Sequence, residues 1–390
     1  MPLRKRADTA VSERGSMIAR VYRLPVYRLA VMTSLKQQIR YCTSADGTRI
    51  AYAISGAGPP LVLSANWLTH LEYQWSHLAW RPMLEALSRR HTVLRYDARG
   101  CGLSDWDAPD LSFETWLSDF DAVVGASGMD TFPIVGVCQG GAIAMEYAAR
   151  HPTRVSHLVL FGAWARGRLK RPEKPEEAEV AEVRYQLARL GWAQETHAFM
   201  EAFATTWQPG GTAQHLRSWC QLQRATTTAE NAVRHMRLAN GIDVTAAARQ
   251  VQCPTLVIHA DRDRVVPVEE ARLCAKLILN ARFVQLDSEN HLLLEDEPAW
   301  ARLQEELQTF LPSRPAARER EPFCLLSNRE AEILELIAQG RDNAQIAAHL
   351  ALSGKTVRNN ITCVFSKLEV ENRAQAIVLA REGGFGRASA

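Results

Sequence analysis

The sequence predicts an α/β domain with a mainly parallel sheet and a helical lid, followed by a small all-α domain of the helix-turn-helix type. Short apolar runs alternate with helical periods along most of the chain, and this alternation indicates βαβ units. The alternation stops between about 165 and 250, where a helical stretch rich in Trp, Arg, Gln and Glu is typical of a lid over a pocket. After residue 325 every segment is helical, which predicts a separate domain.

Composition divides the chain into four segments. Residues 1–31 hold seven Lys/Arg and two acidic residues. We expect residues 1–35 to be a basic, disordered extension, or the product of an early start codon, rather than an additional phosphate-binding arm. Residues 36–311 form the predicted α/β domain, with the lid at about 165–250. Residues 312–325 carry three prolines and charges of both signs, which indicates a linker, and residues 326–390 form the all-α domain.

The composition excludes several classes of protein. The apolar fraction of 47% and the charged fraction of 23% are ordinary for globular proteins, and no apolar run is long enough to span a membrane. A net charge of +3 is too small to indicate a nucleic-acid partner by itself. The eight cysteines are scattered without a CxxC pair, which predicts reduced thiols and a cytoplasmic protein. We expect neither a metal ion nor a cofactor.

The elements of the α/β domain follow one another in a regular order. Residues 39–56 predict a hairpin that turns at Asp46 and Gly47. Short apolar runs then predict strands at 60–64, 92–97, 133–137, 155–161, 254–260 and 282–286. Helical periods lie between them at about 80–90, 112–127, 140–150, 267–279 and 297–311.

A strand-to-helix turn carries the first candidate for chemistry. The segment Gly136-Val137-Cys138-Gln139-Gly140-Gly141 follows an apolar strand and precedes a helix. Small residues on both sides allow a sharp turn that lifts the central side chain above the sheet, at the N-terminus of the helix. Both a histidine partner and a helix N-terminus would favour the thiolate of Cys138. The residues alone leave two interpretations open: a nucleophile, or a small buried residue in a pocket without turnover.

Two later loops supply the partners that such a nucleophile needs. Asp263 follows the strand at 254–260 and precedes Arg-Val-Val-Pro, and we favour it over Asp261 as the acid that orients a histidine. His291 follows the strand at 282–286. The chain order is therefore nucleophile, acid, histidine, which is the order of an α/β-hydrolase triad.

These motifs make residues of about 39–311 resemble an α/β-hydrolase. The segment Arg-Tyr-Asp-Ala-Arg-Gly-Cys-Gly-Leu-Ser-Asp at 95–105 strengthens the resemblance and matches a turn that is largely structural in this family, through the residues Asp97, Arg99, Gly100, Gly102 and Ser104. Where the family usually has His-Gly, this chain reads Ser64-Ala65-Asn66-Trp67. The resemblance implies that the amides of Trp67 and Gln139 form the oxyanion hole. It also implies a pocket above Cys138, shaped by Asn66, Trp67 and His70. Some members of the superfamily, the dienelactone hydrolases, use cysteine.

The C-terminal segment shows the pattern of four helices. Ser327 and Glu330 form a predicted capping box at the first helix, and Gly340 ends that helix. The second helix begins at Asn343, and Ser353 caps a third. Between 353 and 367 there are three basic residues and no acidic residue. Over residues 326–382 this pattern resembles the LuxR-type (NarL/FixJ-type) DNA-binding domain, whose third helix enters the major groove.

The resemblance implies roles for the residues of the third helix. Bases would be contacted by Arg358, Asn359 and Thr362, and phosphates by Lys355, Thr356 and Lys367. Asn360 stands where the family often has histidine, which we interpret as a change in sequence preference. The fourth helix, 373–381, would pair two copies of the chain through its apolar residues.

Together these features predict a transcriptional regulator that senses a small molecule through a hydrolase-like pocket and binds double-stranded DNA as a homodimer. The alternative is a cysteine-dependent ester, lactone or thioester hydrolase whose tail targets or regulates it. A third possibility combines the two: a sensor that slowly consumes its own signal.

Overall fold

The structure, a computed structural model, describes residues 35–171, 175–192, 198–312, 323, 326–368, 370–382 and 385–386. Almost all of the expected N-terminal extension and most of the expected linker lie outside the described residues. No helix in the described ranges combines the length and apolar character needed to cross a membrane.

An eight-stranded sheet organises the first part of the chain. Its strands run in the spatial order β1-β2-β4-β3-β5-β6-β7-β8. They are β1 (Gln37–Thr43), β2 (Arg49–Ser55), β3 (Pro60–Leu63), β4 (Thr92–Tyr96), β5 (Phe132–Val137), β6 (Val155–Phe161), β7 (Thr255–Ala260) and β8 (Ala281–Leu286). The pairs β1–β2 and β2–β4 are antiparallel, and all other pairs are parallel. The predicted hairpin and the mainly parallel sheet are confirmed.

Helices cover the sheet, and five of them occupy the predicted positions. They are α2 (Trp80–Ser88), α3 (Phe113–Ser127), α4 (Gly140–Arg150), α10 (Val268–Leu277) and α11 (Pro298–Phe310). A short helix, α1 (Leu71–Ser76), was not predicted. Strands β5 and β7 are buried at every residue, as strands between two helical layers must be.

The predicted lid is helical, as expected. It consists of α5 (Pro175–Gly191), α6 (Ala198–Trp207), α7 (Ala213–Thr226), α8 (Ala229–Gly241) and α9 (Thr245–Ala248), preceded by a single 3₁₀ turn at Arg168–Lys170. Buried apolar residues of these helices, among them Met200, Trp219 and Ala232, belong to the same core as the sheet. The lid is therefore packed onto the domain.

The turn after β4 holds the loops beneath the lid in place. One carboxylate oxygen of Asp97 accepts the amides of Leu71 at 3.1 Å and Leu103 at 2.8 Å. Arg99 is fully buried and forms a two-pronged ion pair with Asp119, at 2.7 and 2.6 Å. Paired contacts of this kind fix a guanidinium in both position and orientation. The turn thus has the structural role that the sequence predicted.

The C-terminal region forms four helices: α12 (Asn328–Ala338), α13 (Asn343–Leu350), α14 (Gly354–Lys367) and α15 (Arg373–Glu382). The capping box of Ser327 and Glu330 is present at α12. Two apolar clusters hold the helices together, one around Leu334 and Val364 and the other around Ile337 and Val357. These contacts confirm the predicted helical domain.

Candidate functional site

Cys138 lies at a sharp turn between β5 and α4. Its φ angle is 51°, a left-handed conformation that a residue with a side chain adopts only under constraint. The flanking glycines make this turn possible: a Cβ on Gly140 would lie 2.8 Å from Ser64 Oγ, and one on Gly141 would lie 2.3 Å from the Cβ of Ala163. The turn places Cys138 at the N-terminus of α4, where the helix dipole favours negative charge.

Asp263 and His291 form the second and third members of the site. His291 Nδ1 lies 2.6 Å from Asp263 Oδ2, and both side chains are fully buried. The other carboxylate oxygen accepts the amides of Val265 at 2.7 Å and Val266 at 3.1 Å. The loops after β7 and β8 thus bring together the acid and the histidine that the sequence selected.

A second histidine contacts the same carboxylate, and the sequence did not reveal it. His259 Nε2 lies 3.3 Å from Asp263 Oδ2 and 2.9 Å from the carbonyl oxygen of Val266. Because both neighbours are acceptors, Nε2 carries the proton. Burial lowers the pKa of His259, so the ring is a neutral donor that helps to hold Asp263 in its ionised form.

The electrostatics of the site favour a charged histidine. Burial lowers the pKa of His291, but the Asp263 carboxylate and the nearby Cys138 outweigh burial and raise the pKa to about 10. Burial likewise raises the pKa of Asp263, but His291 outweighs it and holds the pKa below its usual value. An imidazolium next to a cysteine favours the thiolate, which is the nucleophilic form.

The contact between His291 and Cys138 is close but is not a regular hydrogen bond. Cys138 contributes to the raised pKa of His291. The Nε2 atom of His291 is nevertheless buried without a hydrogen-bond partner in the described part of the chain. Nucleophile–base contacts are often loose in ligand-free sites and tighten when substrate binds. The structure thus brings the three predicted residues together, with His291 between the thiol of Cys138 and the carboxylate of Asp263.

The predicted oxyanion donors lie beside Cys138. Trp67 and Gln139 both line the cavity that contains Cys138. Neither amide donates a hydrogen bond to any other group within the described ranges. Both N–H groups are therefore available to a group bound in this cavity, as the predicted oxyanion hole requires.

The cavity above Cys138 has a volume of ≈ 100 Å³, and its walls come from the lid and from the loops that follow the strands. Its lining combines aromatic, aliphatic and basic side chains, and the lid residues among them were not identified individually from the sequence. The lining residues are Trp67, Cys138, Gln139, Trp164, Arg168, Arg171, Arg184, Phe203, Trp207, Met236, Ala239, Asn240, Val265 and Val266.

Two residues that the sequence placed in this pocket are outside its lining. The Asn66 side chain donates to the carbonyl oxygen of Trp67 at 3.1 Å and accepts from Gln74 at 3.4 Å. His70 caps α1, accepting the amide of Tyr73 at 3.4 Å. Both side chains shape the loop that carries Trp67. Among the described residues, no three His, Cys, Asp or Glu side chains are grouped so that they could hold a metal ion.

The lid is attached to the histidine loop through Trp207, at the end of α6. The amide of His291 donates to the carbonyl oxygen of Trp207 at 2.9 Å, and the two rings meet edge to face at 4.7 Å. The side-chain amide of Gln208 donates to the carbonyl oxygen of Leu292 at 2.8 Å. One residue of the cavity wall therefore also positions the histidine.

The third helix of the C-terminal domain, α14, presents most of the predicted DNA-contacting residues to solvent. Lys355, Thr356, Arg358, Asn359 and Thr362 are exposed. Asn360 is half-buried and donates to the carbonyl oxygen of Thr356 at 2.9 Å. The opposite face of α14 is buried through Val357, Ile361 and Val364, so the polar face points to solvent.

Lys367 has a partner that the sequence did not predict. The sequence assigned it to phosphates, but its ammonium group lies 2.8 and 2.6 Å from the two carboxylate oxygens of Glu330. This contact also lowers the pKa of Glu330 to about 2. Because both oxygens of Glu330 engage the ammonium, Lys367 joins α14 to α12. Its contact with phosphate stays a prediction.

Comparison with known proteins agrees with this architecture. The family described as alpha/beta hydrolase fold matches residues 68–298, and the family described as bacterial regulatory proteins, luxR family, matches residues 325–380. The pyrrolizixenacetamide deacetylase of Xenorhabdus hominickii is 28% identical over 250 residues, which are 64% of this chain and 90% of that protein. The non-heme chloroperoxidase CPO-A1 of Kitasatospora aureofaciens is 27% identical over 260 residues, 64% of this chain and 91% of that protein.

Solved structures show the same fold. The esterase RhEst1 from Rhodococcus sp. ECU1013 matches with a TM-score of 0.58 and 25% identity, over 70% of this chain and 98% of its own. The enol-lactonase from Burkholderia xenovorans LB400 matches with a TM-score of 0.55 and 25% identity, over 70% of this chain and 99% of its own. The chain belongs to the alpha/beta hydrolase fold family, and its C-terminal region is a DNA-binding helix-turn-helix of the luxR family of bacterial regulators.

Proposed function

We propose that this protein is a transcriptional regulator that binds a small molecule in the cavity above Cys138 and double-stranded DNA through α14. The observation that carries the proposal is the presence, in one chain, of a walled cavity at a hydrolase-type triad and a helix-turn-helix with an exposed polar helix. This function requires access to DNA, so the proposal places the protein in the cytoplasm.

The exposed face of α14 supports direct readout of bases. Arg358 offers a two-pronged donor suited to guanine, and Asn359 offers the donor and acceptor that suit adenine. The Thr362 hydroxyl donates to the carbonyl oxygen of Arg358 at 3.1 Å, and it retains lone pairs that can accept from a base. Lys355 and Thr356 lie at the start of the helix, where amides and dipole attract phosphate.

The exposed apolar surface of α15 supports a homodimer. Val378 is 57% exposed, which is high for a large apolar side chain, and Ala374 on the same helix is also exposed. Burying such residues against a second copy would remove apolar surface from water. Two copies would read two half-sites, as helix-turn-helix dimers do.

The regulator proposal is tested by selecting binding sites from random double-stranded oligonucleotides. A Cys363→Ser protein is used throughout, because Cys363 is exposed on α14 and would react together with Cys138. We expect the selected site to bind about a thousandfold more tightly than random DNA. Carbamidomethylation of Cys138 by iodoacetamide, which fills part of the cavity, should change that affinity by about fivefold or more. Binding without sequence preference contradicts the DNA role, and an affinity unchanged by alkylation contradicts the sensing role.

A second function, hydrolysis through Cys138, is favoured by the contact between Asp263 and His291 and by the two free amides beside the thiol. The deacetylase of Xenorhabdus hominickii, named above, shares this fold. A stoichiometric burst of p-nitrophenolate from p-nitrophenyl acetate would indicate acylation. Cys138→Ala should abolish the burst, whereas Cys363→Ala should leave it. A burst followed by very slow turnover would indicate a sensor that consumes its own signal, and the absence of a burst excludes the activity for this ester.

A further inference from the structure

Three arginines line the cavity and outnumber their carboxylate partners. Arg168 forms an ion pair with Glu177. Arg171 donates from Nε to the carbonyl oxygen of Arg166 at 3.3 Å, but its Nη1 atom is buried without a partner among the described residues. Arg184, on α5, makes no hydrogen bond and no ion pair in the ranges that the structure describes. The lining of this cavity therefore holds three guanidinium groups and no carboxylate, and Glu177, outside the lining, forms an ion pair with one of the three in the described part of the chain.

Burial disfavours the charges of Arg171 and Arg184. Burial lowers the pKa of Arg171, and it lowers the pKa of Arg184 to about 10. The charge of Arg168 also lowers the pKa of both groups, while Glu177 raises both and Glu270 raises that of Arg171, without outweighing burial. A partly buried cation without a partner loses hydration and gains little in return. An anion in the cavity would remove this cost, and arginine offers carboxylates a planar, two-pronged donor.

The other walls of the cavity are apolar and aromatic. Trp164, Phe203 and Trp207 each expose 7% or less of their surface and face the same space as the arginines. Such walls bind the apolar body of a ligand, while a few polar groups fix its orientation. Arg171 also lies close enough to Cys138 for the thiolate charge to act on it. A ligand held by the arginines is thus near the thiol.

We infer that the cavity binds a small organic carboxylate, with its anionic group held by Arg168, Arg171 and Arg184 and its apolar body against Trp164, Phe203 and Trp207. The inference rests on the proposed capture of a small molecule and names the chemical class of that molecule. It also gives the lid a specific role, because α5 contributes Arg184 and α6 contributes Phe203 and Trp207.

The experiment compares an acid with its neutral, isosteric amide. Calorimetric titration of full-length Cys138→Ser protein with phenylacetate and with phenylacetamide measures the contribution of the negative charge. We expect phenylacetate to bind at least about tenfold more tightly, in line with the strength of hydrogen bonds to charged groups. Inorganic phosphate should bind more weakly than phenylacetate, because it gains nothing from the aromatic walls.

A second readout is the alkylation rate of the Cys138 thiol, which does not depend on whether phenylacetate fits the cavity. Iodoacetate is the anionic counterpart of iodoacetamide, so the ratio of their rates at Cys138 reports the local charge. The rate with iodoacetate divided by the rate with iodoacetamide should be about tenfold higher at Cys138 than for N-acetylcysteine amide in the same buffer. Mass spectrometry of the labelled peptide separates Cys138 from the other cysteines.

Arg184→Met is the decisive variant, and Arg189→Met is its matched control. Both residues lie on α5, but Arg189 is exposed and does not line the cavity. Arg184→Met should abolish the preference for the acid in both readouts. The variant should also melt at an equal or higher temperature, because it relieves repulsion without leaving a partner unpaired. Arg189→Met should change neither readout.

Three results would overturn the inference. One is a failure of both readouts to distinguish acid from amide. Another is an equal loss of preference in Arg189→Met, and the third is binding of inorganic phosphate as tight as that of phenylacetate. None of these measurements involves DNA. If the protein prefers acids but its DNA affinity does not change when they bind, the inferred ligand class is supported and the sensing role is contradicted. If instead DNA affinity responds to alkylation but the protein shows no preference for acids, the sensing role is supported and the inferred ligand class is wrong.

Discussion

At the scale of single residues, Asp263 serves four donors at once: two backbone amides through Oδ1, and His291 and His259 through Oδ2. Replacing the carboxylate by an amide removes the charge that raises the His291 pKa and turns one acceptor into a donor. The thiolate of Cys138 would then lose its charged neighbour.

We therefore expect Asp263→Asn to slow carbamidomethylation of Cys138 by about tenfold or more, because the mutation removes the charged imidazolium that favours the reactive thiolate. The rate is measured by mass spectrometry of the labelled peptide after timed quenching. Asp261→Asn is the matched control, because Asp261 lies in the same loop but bonds the Ser288 amide and Arg262. An equal slowing in the control would show that the loop, rather than the carboxylate of Asp263, supports the thiol.

Two exposed basic residues of α14, three positions apart, should behave differently on DNA. Arg358→Ala should cost on the order of 1–3 kcal/mol at one base pair and relax specificity there. Lys355→Ala should weaken binding to all sequences alike and reduce the salt dependence by about one unit of slope. Fluorescence anisotropy on specific and random duplexes at several salt concentrations measures both. Equal losses on both duplexes for Arg358→Ala would contradict the assignment of roles.

At the scale of the elements, α6 combines a wall of the cavity with a contact to the histidine loop. Trp207→Ala should lower the free energy of unfolding by about 3–5 kcal/mol, because it leaves a large buried void. It should also speed alkylation of Cys138 by opening the cavity. Trp207→Phe keeps a ring against His291 and should lose less than half as much stability. Urea titrations measure the losses, and equal losses in the two variants would show that the ring contact contributes nothing.

The elements were largely predictable from the sequence, because apolar periodicity determines which segments are buried and glycines mark the turns. The triad followed because the loops after parallel strands meet at one edge of the sheet. The lid was predictable as helices, but periodicity alone does not tell what an apolar helix face meets, so Arg184, Phe203 and Trp207 were missed individually. The ion pair of Lys367 was not predicted because its partner, Glu330, lies 37 positions away and no local pattern links them.

At the scale of the whole molecule, the C-terminal helices contain their own apolar clusters and caps. We expect a fragment of residues 318–390 to fold alone and to bind DNA, more weakly than the full chain if the larger domain also contributes to dimerisation. Circular dichroism and anisotropy measure these properties. Leu334→Ala, which truncates a fully buried side chain, should destabilise the fragment by about 2–5 kcal/mol. A fragment without helical signal at 25 °C would show that the domain boundary is wrong.

Stability of the full chain should decline on both sides of neutral pH. Burial lowers the pKa of His235 to about 4, so between pH 6.5 and 4 the unfolded chain binds more protons and acid destabilises the fold. The pKa of His291 is raised to about 10, so between pH 6.5 and 10 the folded chain binds more protons and stability falls as pH rises. Urea titrations from pH 4 to 10 measure the profile. His235→Gln should flatten the acid side, and an unchanged acid side would exclude His235 as its cause.

The bond between the His291 amide and the carbonyl oxygen of Trp207 has a consequence for how this family can diversify. Every amino acid supplies a backbone carbonyl, so position 207 can change its side chain without giving up the anchor of the histidine loop. Substitutions at position 207 can therefore alter the size and polarity of this wall while the chain keeps the means of placing His291. If the cavity binds the proposed ligand, its preference can change in this way without moving the histidine.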